Sequence, residues 1–373
     1  MTSVDEDSLL DKAKRYASIK YSLAIIEAIY LLAFLFILMA SGLSRILATR
    51  ISNLIPNHFL ALAILVYILV VYILYYLLDF PLNLYRSFVL EHRFSLSNQK
   101  LGDWLKDQIK AGIIAYIIIS ILAEAFYYIL RHYLHAWWLI ISLFWIFFSL
   151  VLAKLVPVVI IPLFFKYRKL SDDTLRERII DLADKMQVKI LDVFEIDFSQ
   201  KTKKANAAFV GWGRTKRVIL ADTLKDKYSF DEIEVILAHE FAHYRLKHLS
   251  KLILVNSSVI MFSFYIIFIS SEHSLSIFGL RSLWDIAALP VILIYFVILG
   301  IIMQPFENYI SRRLERNADL MALKVTSKKD AFISMMEKLA SQNLSHRNPH
   351  PLIKFLFFDH PPVDERIAMA GAR

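Results

Sequence analysis

The chain has no cysteine. Disulfides, cysteine-ligated zinc and a thiol nucleophile are therefore excluded. It has no internal repeat and no low-complexity tract. Related halves with Gly- or Pro-broken spans at matching positions, which mark many transporters, are also missing. No basic stripe interleaved with aromatics runs through it, so no nucleic-acid partner is expected.

Apolar residues are what the chain has in excess. Of its 373 residues, 57% are hydrophobic, above the roughly 45–50% of ordinary globular domains. Six segments carry about the twenty apolar residues that a bilayer helix needs. They are 22–43, 59–78, 109–130, 137–164, 252–270 and 286–304. The first follows a charged leader with Asp5, Glu6, Asp7 and Asp11. Its apolar run is too long for a signal-peptide core, so a retained anchor is expected.

The formal charge is +9, and its distribution follows the positive-inside rule. Lysine and arginine are dense in the leader, after the second span, in 166–251 and after Arg312. The intervening loops offer Arg45 and Arg50, then Arg131, then Arg281. Both termini and the 166–251 block are thus expected on the cytosolic side. Glu27, Glu124 and Lys154 lie within spans and should face the bundle interior, water or one another.

The pattern is four spans, a polar block, two spans and a polar tail. It predicts a predominantly α-helical polytopic membrane protein with about six transmembrane helices and a polar α+β domain at the cytosolic membrane face. Residues 1–165 form the membrane domain. Residues 166–373 form the second domain, interrupted by a two-helix hairpin at about 252–304. Within the polar block, "DDTLRERIIDLADKMQ" is an amphipathic helix and "KILDVFEIDFS" a strand. "ANAAFVGWGRTKRVILAD" reads as a hairpin whose second arm is Arg217–Ala221, with Gly211 and Gly213 at the bend. Ser229 and Glu232 make a capping box for the next helix.

That helix contains His239-Glu240-Phe241-Ala242-His243, an H-E-x-x-H motif. Residues i and i+4 share a helix face, so both imidazoles can reach one ion. Neutral imidazole suits zinc, with Zn–N bonds of ~2.0–2.1 Å. Glu240, on the neighbouring arc, can accept a proton from metal-activated water. A catalytic zinc needs a third protein ligand. His248, five residues beyond His243, falls on a different face and is expected at the surface or a helix end. Leu246 and Leu249 occupy the positions where an extended H-E-x-x-H-x-x-G-x-x-H pattern needs Gly and His. A glutamate on another helix remains. Glu315 in "SRRLERNADLMAL" is preferred over Glu307, which sits at the end of the sixth span. Asp319, four residues on, could accept the other ring N–H of a ligand histidine.

These motifs resemble the type-1 CAAX prenyl protease family, integral-membrane zinc metalloproteases of the gluzincin kind with a zincin-like catalytic domain. The resemblance covers nearly the whole chain. It includes "FPLNLYRSFVLEHRFSLSNQKLGDWLKDQIK", "VPVVIIPLFFKYRKL", "NAAFVGWGRTKRVILADTL", "SRRLERNADLMA" and "HPPVDER". It implies a membrane zinc endopeptidase with one zinc per chain, held by His239, His243 and Glu315. Glu240 would be the general base, with Asp319 behind the ligands. His360 and Arg366 would face the substrate carbonyl and its developing oxyanion. Asn206, Ala207, Ala208 and Phe209 would be an edge strand that takes the substrate backbone. The implied partners are the lipid bilayer and peptide or protein substrates, prenylated or not.

Eukaryotic members carry seven spans where six are counted here, and the tail "AGAR" has no dilysine-type retrieval signal. Both features weaken an assignment to the endoplasmic reticulum and suit a compact prokaryotic member, so the expected membrane is the plasma membrane for a prokaryotic protein and the endoplasmic reticulum for a eukaryotic one. A quality-control protease of the heat-shock membrane metalloprotease type is the alternative, and the four spans before residue 166 count against it. A transporter or scaffold is the non-enzymatic alternative.

Overall fold

The computed structural model describes residues 3–211 and 216–372. Gly213, expected at the hairpin bend, lies outside the described residues. The membrane half opens with α1 (Ser3–Ala40), α2 (Leu43–Leu54), α3 (Leu60–Leu84) and α4 (Leu90–Arg93). A π turn, Tyr85–Val89, joins α3 to α4. Then come α5 (Leu101–His132) and α6 (Trp137–Leu155). The catalytic half contains β1 (Tyr167–Lys169), α7 (Asp173–Lys185), β2 (Asp192–Ile196), β3 (Ala207–Val210), β4 (Arg217–Ala221), α8 (Asp222–Lys225) and α9 (Phe230–Arg245). It continues through α10 (His248–Ile277), α11 (Leu289–Thr326), α12 (Lys329–Asn343), α13 (Pro351–Phe357) and α14 (Val363–Gly371).

Among the described residues, six helices are long and apolar enough to cross a bilayer. A helix satisfies its own backbone hydrogen bonds, which is why hydrocarbon admits it. The first predicted span runs past its helix end, because Gly42 turns the chain at φ 74°. The short α2 had no counterpart in the sequence reading. It tucks Ser44 between Tyr67 and Ala287, with Oγ 2.7 Å from each oxygen. Of the span charges, Glu27 pairs with Arg86 across α1 and the π turn. Glu124 turns Oε1 into a buried position with no hydrogen-bond partner. Lys154 lies exposed rather than in the bundle interior. It sits one residue from the end of α6, where its flexible stem can carry the ammonium towards the interface.

The polar block forms a four-stranded sheet in the order β1-β2-β4-β3. β2 and β4 are parallel, and β3 pairs antiparallel with β4. This leaves β3 on an edge. One face of the sheet covers α9, which also packs against α7, α11 and α12. Helix α9 starts as expected: the Ser229 side chain and Glu232 form a reciprocal capping box. Its interior is a continuous buried set that includes Ile233, Leu237, Ala238, Phe241 and Ala242. Phe241 is fully buried and meets the Phe209 ring edge-on at 5.3 Å. Truncating such a residue to alanine costs ~3–5 kcal/mol, so α9 is held in place by its own core.

The two halves are tied together near the sheet. Asn98 N–H donates to the Lys201 carbonyl at 3.0 Å, and Lys203 N–H donates to Leu96 at 2.9 Å. Lys201 pairs with Asp107 at 2.5 Å and Lys204 with Glu91 at 2.8 Å. The loop before the third span is therefore part of the catalytic half's support.

Candidate metal centre

Helix α9 does not run straight into the fifth span, as the sequence suggested. It ends at Arg245, and Lys247 adopts a left-handed conformation with φ 55° and ψ 38°. A non-glycine residue there costs roughly 1–2 kcal/mol. The kink lets α10 begin at His248 and turns that side chain back towards α9. His248 is only 1% exposed, and its Nδ1 lies 3.1 Å from His243 Nδ1. His248 thus stands at a helix end, as expected, but its side chain is buried against His243 rather than at the surface.

The sixth span and the Glu315 segment are one uninterrupted helix, α11. It leaves the apolar region and runs along α9. His239, His243 and Glu315 converge there, each offering a donor atom within 4.8 Å of the others. His239 Nε2 and His243 Nε2 are 3.0 Å apart. Each lies 3.2 Å from a Glu315 carboxylate oxygen. Donors of a tetrahedral zinc with ~2.0–2.1 Å bonds sit ~3.3 Å from each other. The triangle fits a single zinc ion. Glu307 is not part of this group.

The nitrogens facing away from the triangle fix the tautomers. His239 Nδ1 lies 2.8 Å from Asp319 Oδ1. A carboxylate only accepts, so Nδ1 carries the proton and Nε2 presents its lone pair. For His243 to do the same, its Nδ1–H donates to His248 Nδ1. His248 then holds its own proton on Nε2, which is buried with no hydrogen-bond partner. Burial works against charge on His239, but Asp319 and Glu315 more than offset it and raise its pKa to about 9. The pocket thus favours a cation at this position. Burial also raises the Glu240 carboxyl, against the pull of His239 and His243, as suits a base working near neutral pH.

Asp319 is completely buried and grips Arg366 by two bonds, Nε to Oδ2 at 2.7 Å and an Nη to Oδ1 at 2.5 Å. Arg366, which the resemblance places facing the substrate oxyanion, binds Asp319 behind the donor triangle with two of its nitrogens. His360 Nε2 stands 3.4 Å from Glu315 Oε2, at the rim of the triangle, and its side chain is 53% exposed. Its Nδ1 is 2.8 Å from Asp359. Burial disfavours its charged form, yet Asp359 and Glu315 raise its pKa overall.

Strand β3 lies across α9, with Phe209 against Phe241 and Tyr244. Asn206 O accepts from Ala221 N–H at 3.0 Å. In an antiparallel ladder this phase alternates. Asn206 and Ala208 therefore bond inward to β4, and Ala207 and Phe209 turn their N–H and C=O groups to the open edge.

Comparison with known proteins points to one family. Residues 169–373 match the family model for peptidase family M48. Residues 2–166 match that for the CAAX prenyl protease N-terminal region, described as five membrane helices. The described residues here supply four full spans and the short α2 in that stretch. An uncharacterized metalloprotease, YhfN, of Bacillus subtilis is 30% identical over 97% of this chain and 85% of its own length. CAAX prenyl protease 1 of Saccharomyces cerevisiae is 30% identical over 78% and 68%. The crystal structure of S. mikatae Ste24p superposes with a TM-score of 0.87 at 25% identity, over 98% of this chain and 89% of that one.

Proposed function

The chain belongs to peptidase family M48 and is a multi-pass membrane metalloprotease, and from that premise we propose that it cleaves extended peptide segments at one zinc held by His239, His243 and Glu315. The observation that carries the reading is the donor triangle with edges of 3.0–3.2 Å. When bound, zinc supplies Lewis acidity and lowers the pKa of a coordinated water.

The remaining steps fall to the chain's own side chains. Glu240 takes the proton from the attacking water and returns it to the leaving amine. His360, half-exposed at the rim, donates an N–H to the oxygen where negative charge develops. Arg366 acts as a positioning residue that holds Asp319 and, through it, His239. The open edge of β3, Ala207 and Phe209 with Asn206 and Ala208 behind them, receives the substrate backbone as an added strand. The domain division at residues 165 and 166 separates a membrane half from this catalytic half, and the basic loops favour a cytosolic face for the latter.

The groups assigned here read peptide backbone, so a prenyl group adjusts binding rather than the hydrolytic step. The test is a cleavage assay in detergent with a farnesylated CAAX peptide and its unmodified twin. Both are expected to be cut, the farnesylated one at lower KM, and a zinc chelator should stop both. Chelator-insensitive cleavage, or no cleavage of either peptide, would overturn the reading.

A further inference from the structure

Beyond the metal centre, α11 carries a second feature. Ile302, Phe306 and Tyr309 form an outward stripe and are 63%, 53% and 51% exposed. Their spacing of four and three residues continues to Arg313 and Arg316, both exposed. At ~100° per residue this stripe lies about a third of a turn from the face bearing Glu315 and Asp319. The arginines open onto a cavity of about 470 Å³ between α11, α13 and α14. Five cationic side chains line it, Arg312, Arg313, Arg316, Lys354 and Arg366, against two carboxylates, Asp319 and Glu365. Both carboxylates are already paired, with Arg366 and Lys354. Arg312 is engaged with the Lys354 and Phe358 carbonyls. Arg313 lies over the Tyr309 ring, with its guanidinium 5.7 Å from the centroid. Among the described residues, no carboxylate forms an ion pair with Arg313 or Arg316.

With the Tyr309 ring as the interfacial anchor, Arg312 and Arg313 lie roughly 5–6 Å beyond it along the axis, at lipid-headgroup depth, and Arg316 roughly 11 Å, just outside it. The headgroup layer adds about 5–7 Å to each side of the hydrocarbon. Helix α13 gives an independent marker. It exposes Leu352, Phe355 and Leu356 on one face, at 59%, 51% and 37%. Its end packs beside the start of the first predicted span and past the end of the sixth, since Phe357 stacks on Tyr21 of α1 at 5.1 Å and Asn308 donates to Leu356 O at 2.8 Å. Apolar side chains on such a short helix beside a cationic pocket belong at the interface.

We propose that this pocket binds the headgroup of an anionic phospholipid of the surrounding bilayer. The phosphate sits on Arg313 and Arg316, and an acyl chain lies along Tyr309, Phe306 and Ile302. Arg–phosphate pairs are bidentate and charge-assisted, and each basic residue near an anionic surface adds measurably to lipid affinity.

The test follows thermal stabilisation of the full-length protein in detergent, titrated with dihexanoyl phosphatidylglycerol, dihexanoyl phosphatidylcholine or inorganic phosphate. Phosphatidylglycerol should give a saturable rise in Tm, with affinity about tenfold or more above the other two. R313Q/R316Q should remove most of that difference. Both residues are exposed and, among the described residues, without ion pairs, so the variant should keep the parent Tm without lipid. L352N/F355N should weaken phosphatidylglycerol binding while leaving the weak phosphate response alone. K189Q/K324Q, exposed lysines elsewhere, should change nothing. Equal affinity for both lipids, undiminished binding by R313Q/R316Q, or an equal loss in K189Q/K324Q would overturn the proposal. Inorganic phosphate binding as tightly as the lipid would make this a plain anion site and overturn it as well.

Discussion

His248 Nδ1 lies 3.1 Å from His243 Nδ1, although five residues of an unbroken helix would set the two on different faces. The left-handed Lys247 brings them together. With His248 as acceptor, His243 is locked in the tautomer that presents Nε2 to the metal. Partners of this kind typically contribute 10–100-fold to metal affinity. His248→Ala is therefore expected to weaken zinc about 10–100-fold in a competition titration against a chelator. His248→Asn, whose side-chain oxygen can still accept, should recover part of the loss. Unchanged affinity in His248→Ala would reduce this contact to packing.

Glu240 touches no ligand atom that zinc would need, so its removal separates chemistry from metal binding. Glu240→Gln should retain one zinc per chain by elemental analysis and lose hydrolysis by about 10²–10⁴-fold, the usual range for a general base. Loss of zinc in this variant would make Glu240 part of the coordination instead.

Glu315 is 6% exposed and reaches both histidines. Glu315→Ala should lose stoichiometric zinc, because two imidazoles alone leave the ion mostly to water. Glu307→Ala, altered outside the donor group, should keep it. The reverse pattern would move the third ligand to Glu307.

Local patterns made much of this structure legible. Apolar runs marked the six spans, because hydrocarbon forces long helices. The strand at Arg217–Ala221 and the Ser229 cap rest on local backbone preferences, and both stand where expected. The convergence of His239, His243 and Glu315 was legible because i, i+4 geometry is rigid and α11 continues without a break. What escaped depends on tertiary placement. No glycine announces the turn at Lys247, so helix periodicity missed the contact of His248 with His243. Arg366 meets Asp319 only through the packing of α14 on α11, and no spacing in the chain encodes that contact. Helix α2 is too short and polar to register as a span.

Arg366 and Asp319 form a bidentate pair with Asp319 wholly buried. If Arg366 acts by holding Asp319, Arg366→Ala leaves a buried charge uncompensated. Such a break costs about 3–5 kcal/mol, seen here as a lower Tm together with weaker zinc binding. Arg366→Lys should restore part of both. A direct oxyanion role predicts a different split, with kcat falling while zinc affinity and Tm stay at the parent values.

The edge strand offers the sharpest test of how substrate is held. Ala207 turns its N–H to the open side of β3, whereas Ala208 bonds inward to β4 in register with Ile219. Proline is tolerated at an edge where the missing N–H faces outward and is disruptive where the ladder needs it. Ala207→Pro should keep its Tm and zinc while raising KM for peptide several-fold or more, since one strand-to-substrate hydrogen bond is lost. Ala208→Pro should instead lower Tm by breaking the β3–β4 ladder. If Ala207→Pro leaves KM unchanged, the substrate does not add to this edge. If it unfolds as readily as Ala208→Pro, the hydrogen-bond phase assigned to β3 is reversed.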